Sequence, residues 1–117
     1  MGRLISMDIV YTSLERRPAV NPDPVGEVAE AVDALWAHAA PGDGLEHASA
    51  LPAPGRLDLL LYLLTPDPGP PCMPDPVQRA ATLLARCHRD SPLLHHRYLP
   101  PVPRSDPGQC PSQAPAP

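Results

Sequence analysis

The tetrapeptide Pro-Asp-Pro-Val occurs twice, at Pro22 to Val25 and at Pro74 to Val77, and each copy precedes a run of apolar residues at helical spacing. An aspartate followed by proline is a helix start. The carboxylate accepts from the free amides of the first turn, and proline, which has no N–H, fits the first helical position. Helices are therefore predicted to begin at Pro24 and at Pro76. The repeat extends further, because Gly2-Arg3-Leu4 returns as Gly55-Arg56-Leu57, and Leu45-Glu46-His47 up to Leu51-Pro52 is echoed by Leu94-His95-His96 up to Leu99-Pro100.

Each half then reads strand, helix, strand. Leu4 to Tyr11 alternates with period two, as a half-buried strand does. In the first helix, Val25, Val28, Ala29, Val32, Leu35, Trp36 and Ala39 form one apolar stripe, with Glu27, Glu30 and Asp33 opposite, and Pro41-Gly42-Asp43-Gly44 ends it. Leu45 to Leu51 and Leu57 to Leu64 are read as strands joined by the turn Pro52-Ala53-Pro54-Gly55. The second helix carries Val77, Ala80, Ala81, Leu84 and His88 inside and Arg79, Arg86 and Arg89 outside, and is stopped by Pro92. Leu94 to Leu99 supplies a last short strand. Two joined halves of this kind describe an α+β, ferredoxin-like βαββαβ sandwich, with both helices on one face of a four-stranded sheet. One domain is expected over 1–99. The prolines from Pro100 onward mark 100–117 as a disordered or polyproline-like tail.

Composition narrows the function. Nine arginines, no lysine and thirteen acids give a net charge of −4, which does not draw in a phosphate backbone, so no nucleic-acid partner is expected. The longest apolar run, Leu59 to Leu64, falls far short of the ~20 residues that span a bilayer, and Ser6 and Asp8 interrupt any signal-type stretch. Cys72, Cys87 and Cys110 are odd in number and lack CxxC spacing, so they read as reduced thiols of a soluble, cytoplasmic protein. The scarcity of Lys, Phe, Asn and Ile matches GC-rich bacterial coding.

With the first and third strands taken as central, parallel neighbours, strand parity assigns faces. Ile5, Met7, Ile9 and Tyr11 are expected under the helices with Leu57, Leu59, Leu61 and Leu63. The other face then carries Ser6, Asp8, Val10, Asp58, Leu60, Tyr62 and Leu64. Val10, Leu60, Tyr62 and Leu64 together are more apolar than solvent alone explains, which makes them a candidate binding face for a second copy or a protein partner. Asp8 and Asp58, expected on that face on adjacent strands, are the candidate ligands for one divalent cation.

The segment Met7-Asp8-Ile9-Val10-Tyr11-Thr12-Ser13 is similar to the first strand of class III nucleotidyl cyclases, in which an aspartate followed by Ile begins a metal site on a βαββαβ core. The resemblance covers about seven residues and implies a metal-dependent nucleotide enzyme using Asp8 and Asp58. That family's second aspartate lies in the hairpin between its second and third strands. Here Gly42-Asp43-Gly44 precedes the second strand, and Asp58 follows the hairpin turn.

Other constellations carry less chemistry. Cys87 and His88 are consecutive on a helix and point ~100° apart, so they neither chelate one ion nor form a nucleophile pair. His47 and His96 are expected on opposite sheet edges. Pro100 to Pro103 forms a PxxP motif beside Arg104. The expected function is that of a small non-enzymatic accessory protein, without cofactor, acting through association as a homodimer or as the partner of a larger protein. The alternatives are the metal enzyme and a small-ligand regulatory module.

Overall fold

The computed structural model describes residues 4–67 and 73–101 and is an α+β fold. Its elements in chain order are β1 (Leu4–Glu15), α1 (Pro24–His38), a 3-10 turn (Pro41–Asp43), β2 (Leu45–Ala53), β3 (Arg56–Asp67), α2 (Pro76–Asp90) and α3 (Pro92–Arg97). The described strands form one antiparallel sheet in the order β1-β3-β2. β1 and β3 are neighbours, but antiparallel ones, which corrects the parallel pairing expected from sequence. The proline-rich tail from residue 102, together with Cys72 and Cys110, lies outside the described residues.

Both repeated tetrapeptides start helices as read. The Asp23 carboxylate accepts from Gly26 N–H at 3.0 Å, and Asp75 accepts from Gln78 N–H at 2.7 Å. The same device occurs a third time with serine in place of aspartate: Ser91 Oγ accepts from Leu94 N–H at 3.2 Å, and Pro92 holds the first helical position. Leu94 to Arg97 is therefore helical, which corrects the expected fourth strand. Among the described residues after α3, pairing with the sheet is the single antiparallel bridge of Tyr98 with Arg16.

The core lies between the sheet and the helices. Val10 and Leu14 of β1, Ala48 of β2 and Leu57, Leu59, Leu61 and Leu63 of β3 meet Ala31, Ala34 and Leu35 of α1 and Ala80, Leu83, Leu84 and Cys87 of α2. The leucines of β3 behave as expected. β1 does not: its even-numbered residues face the helices, and Ile5, Met7, Ile9 and Tyr11 face away. α1 is likewise rotated from its expected stripe, with Val25 and Trp36 exposed and Glu27 buried.

The reason is a buried ion pair. Arg16 Nε and Nη2 donate to the two Glu27 oxygens at 2.8 and 2.9 Å, and Nη1 donates to the Ala53 carbonyl at 2.7 Å. The Tyr98 hydroxyl donates to Glu27 at 2.7 Å, and His88 Nε2 donates to the Tyr98 carbonyl at 2.8 Å. One carboxylate thus ties the end of β1 to α1, the hairpin and the segment after α3. Burial pushes the Glu27 carboxyl up, but the Arg16 and Tyr98 hydrogen bonds and the charges of Arg16 and Arg97 outweigh it and hold the group below its ordinary range.

A second knot fixes the entry to β2. Arg79 Nη1 donates to Thr65 Oγ1 at 2.7 Å, while its Nη2 reaches the carbonyls of Asp43 and Leu64 at 3.0 and 2.9 Å. Gly44 sits against it with φ 73°, and a Cβ there would lie 2.7 Å from both Arg79 Nη2 and the Leu64 carbonyl oxygen. Gly55, also at φ 73°, closes the hairpin after Pro54 with nothing within 4 Å of the same position.

Two stability outcomes follow. Gly44→Ala lowers unfolding free energy in urea by about 2–3 kcal/mol, through backbone strain plus the clash, whereas Gly55→Ala costs about 1 kcal/mol of strain alone. Glu27→Gln strands the Arg16 charge and costs roughly 3 kcal/mol. Because the folded-state pKa of Glu27 is lowered, the stabilisation is complete above the ordinary carboxylate range and is lost as pH falls through the folded value. Thermal denaturation between neutral and acid pH shows that loss in the parent chain and a flatter profile in Glu27→Gln.

Candidate functional site

The open face of the sheet is the candidate site. In an antiparallel ladder, directly opposed residues share a face, so the register Ile9 to Tyr62, Tyr11 to Leu60 and Met7 to Leu64 puts these six side chains on the side away from the helices. Leu51, opposite Asp58 on β2, joins them. Ile5, Met7, Ile9, Tyr11 and Leu51 are each 48–68% exposed, and Leu60, Tyr62 and Leu64 are half-buried among them. Three strands ~4.8 Å apart and about ten residues long at ~3.4 Å each make a face of roughly 500 Å². That is the size of the largest apolar patch on a typical monomer, about 300–600 Å², and such patches are often functional.

Three of the four residues expected on this face are there. Leu60, Tyr62 and Leu64 are, whereas Val10 is 5% exposed in the core. The correction follows from the parity of β1, which brings Ile5, Met7, Ile9 and Tyr11 out in its place. The signal that would have found them is Leu14: a strand extended to Glu15 places Leu14 and Val10 on one side, and Arg16 follows at the same parity.

Asp8 and Asp58 are not brought together. Asp8 lies on the helix side of the sheet and accepts from Thr65 Oγ1 at 2.9 Å, in line with Arg79. Asp58 lies on the open side opposite Ser13, five positions along β1 from Asp8, a separation of roughly 17 Å. A cation held by both is excluded by this geometry, and the expected shared site is corrected. Among the described residues no three His, Cys, Asp or Glu side chains cluster as metal ligands.

Asp58 instead builds a polar corner on the open face. Arg56 Nε donates to it at 2.7 Å. That hydrogen bond, with a smaller contribution from the Tyr11 hydroxyl, holds the Asp58 carboxyl below its ordinary range, and the carboxylate in turn raises the Tyr11 hydroxyl. Tyr11, Ser49, Leu51, Asp58 and Leu60 border a shallow hollow of about 120 Å³, well below the ~300–1,000 Å³ of small-molecule pockets. At the other end of the face the rings of His47 and Tyr62 meet edge-on at 5.1 Å.

The remaining candidates are structural. Cys87 is buried, its Sγ 3.8 Å from the Leu35 carbonyl, and burial pushes its thiol up to about 11, the opposite of nucleophile activation. His88 is committed to the Tyr98 carbonyl, and His96 is exposed on α3. The expected acidic and basic outer helix faces are also corrected. Glu27 is buried, Arg79 caps carbonyls, and Arg86 pairs with Asp43 and donates to the His38 carbonyl. Arg89, with Asp90, stays outside.

Tyr11 titrates above the ordinary tyrosine range by ultraviolet absorbance, and Asp58→Asn returns it toward that range. No helix among the described residues is long and apolar enough to cross a membrane. Comparison of the chain with protein-family models, with curated proteins and with solved structures gave no significant match.

Proposed function

We propose that this chain is a small non-enzymatic accessory protein that works by docking another protein on the open face of its sheet. The observation that carries the reading is the row of large apolar side chains, Ile5, Met7, Ile9, Tyr11 and Leu51, left in water around Leu60, Tyr62 and Leu64. Each such side chain forgoes roughly 1.5–3 kcal/mol when it is left exposed rather than buried. A partner surface recovers that free energy. A protein surface matched to a flat face of ~500 Å² buries roughly 1,000 Å² in total, the lower bound of a specific interface. The polar corner of Tyr11, Arg56 and Asp58 supplies a rim that sets orientation more than affinity.

The separation of Asp8 from Asp58 and the small size of the hollow on this face favour docking over a nucleotide enzyme or a ligand module. The order β1-β3-β2 with helices on one side is that of a ferredoxin-like core, and on this reading the fourth-strand place lies beside β1. The working compartment is the cytoplasm, where Cys87 stays a thiol.

Leu51→Arg, at an exposed position on β2, tests the docking. A purified partner binds the parent chain and binds the variant at least a hundredfold more weakly, with an unchanged melting temperature, by calorimetric titration. Equal affinity for both rejects the face as the docking surface.

A further inference from the structure

The outer edge of β1 carries a second, separate surface. Backbone groups in a ladder point to alternate sides from residue to residue. Arg16 N–H donates toward the hairpin, to the Gly55 carbonyl at 3.0 Å. The Glu15 carbonyl and the Arg17 N–H point the other way, to Leu99 N–H at 2.8 Å and the Arg97 carbonyl at 3.0 Å. The register with β3 runs from Leu4 to Glu15 without a bulge, so the alternation carries through the strand. Even-numbered residues bond β3, and the N–H and C=O groups of Ile5, Met7, Ile9, Tyr11 and Ser13 point outward. Among the described residues nothing pairs with them.

The two edges of the sheet differ in kind. β2 is short, has a register shift between Leu45 and His47, and carries Pro52 at a position whose backbone faces outward. These are the features that stop an edge from pairing. β1 is twelve residues long with no bulge, no lysine and no proline, in a chain with 20 prolines. The sequence after Leu99 lacks donors that pairing on this edge needs. Beyond Leu99 the same register would bring Pro101 opposite Ser13 and Pro103 opposite Tyr11, where a ladder needs N–H donors that proline lacks.

We propose that this edge pairs with β1 of a second copy, antiparallel about a two-fold axis at Ile9, so that two three-stranded sheets become one of six strands. The free groups select both occupant and register. Leu99 already takes Glu15, which leaves a window from Ile5 to Ser13 that is symmetric about Ile9. With Ile9 opposite its own mate, Met7 stands opposite Tyr11 and Ile5 opposite Ser13, and every outward N–H and C=O within that window is paired on both strands. Centring on Asp8 sets two like charges opposite each other, and centring on Val10 leaves the Ile5 groups unpaired. The pairing goes beyond the docking reading and does not rest on it, because the edge alone holds the copies together. Its consequence is that the two apolar faces merge into one.

Light scattering of the full chain across a dilution series gives twice the 12.5 kDa chain mass. Ile9→Pro removes an N–H that β3 does not use, so the monomer keeps its sheet. The loss of one bond per strand weakens the dimer roughly thirtyfold or more. Amide hydrogen exchange of the unaltered chain reads the same claim without a variant: the odd-numbered amides from Ile5 to Ser13 are protected in the dimer and released on dilution, while the even-numbered ones stay protected throughout. A monomer at every concentration overturns the proposal, as does a dimer whose odd-numbered β1 amides exchange freely. Protection of those amides only when a foreign protein is added also overturns it, in favour of a foreign strand. Leu51→Arg leaves the dimer mass unchanged, so failure of the docking reading and failure of the edge pairing are read separately.

Discussion

Glu27 is a carboxylate with 1% of its surface exposed, and an ionised group in that position is tolerated only with a partner that meets both oxygens. Arg16 is that partner, through two parallel hydrogen bonds. Reaching Glu27 requires Arg16 to project from the sheet toward the helices, and strand alternation then carries Leu14 and Val10 to the same side. The facing of the whole of β1 is tied to this one ion pair. Tyr98 completes the arrangement by bonding the same carboxylate from the segment after α3, which draws the end of the described chain against the end of β1.

The cost of that arrangement is visible on the other side of the sheet. An opposite facing of β1 would bury Ile5, Met7, Ile9 and Tyr11, a more apolar set than Val10, Thr12 and Leu14, but would turn Arg16 away from Glu27. Breaking a buried pair costs about 3–5 kcal/mol, and a few large side chains left exposed forgo a comparable sum. The two facings are therefore close in free energy for an isolated chain. Covering the apolar face tips the balance further toward the observed one, and this links the buried ion pair to the association we propose.

Charges that sequence spacing assigns to the outer faces of the helices are mostly used inside the fold. Arg79 joins α2 to the start of β2 and to the end of β3 through carbonyls that secondary structure leaves open, and Asp8 with Thr65 lies in line with it. Arg86 and Asp43 tie α2 to the 3-10 turn. Asp8 is in this sense part of the packing of α2 on the sheet, and the seven-residue likeness to a cyclase strand reflects an alternation that many strands share.

Local signals settled much of the architecture. Asp-Pro at two helix starts, proline turns and the leucine alternation of β3 determine the α+β class, both long helices, three strands and the inward set of β3, because each acts within a few residues through capping, fixed φ or period-two burial. Ser91-Pro92 carried the same capping chemistry as the aspartates, and it overrides the echo that suggested a fourth strand. Three decisions belonged to the tertiary structure: the facing of β1, the burial of Glu27 and the separation of Asp8 from Asp58. All three depend on which of two apolar parities meets the helices. Both parities of β1 and of β3 are apolar enough to serve, so the choice falls to a contact between residues eleven apart in sequence that no local pattern reveals.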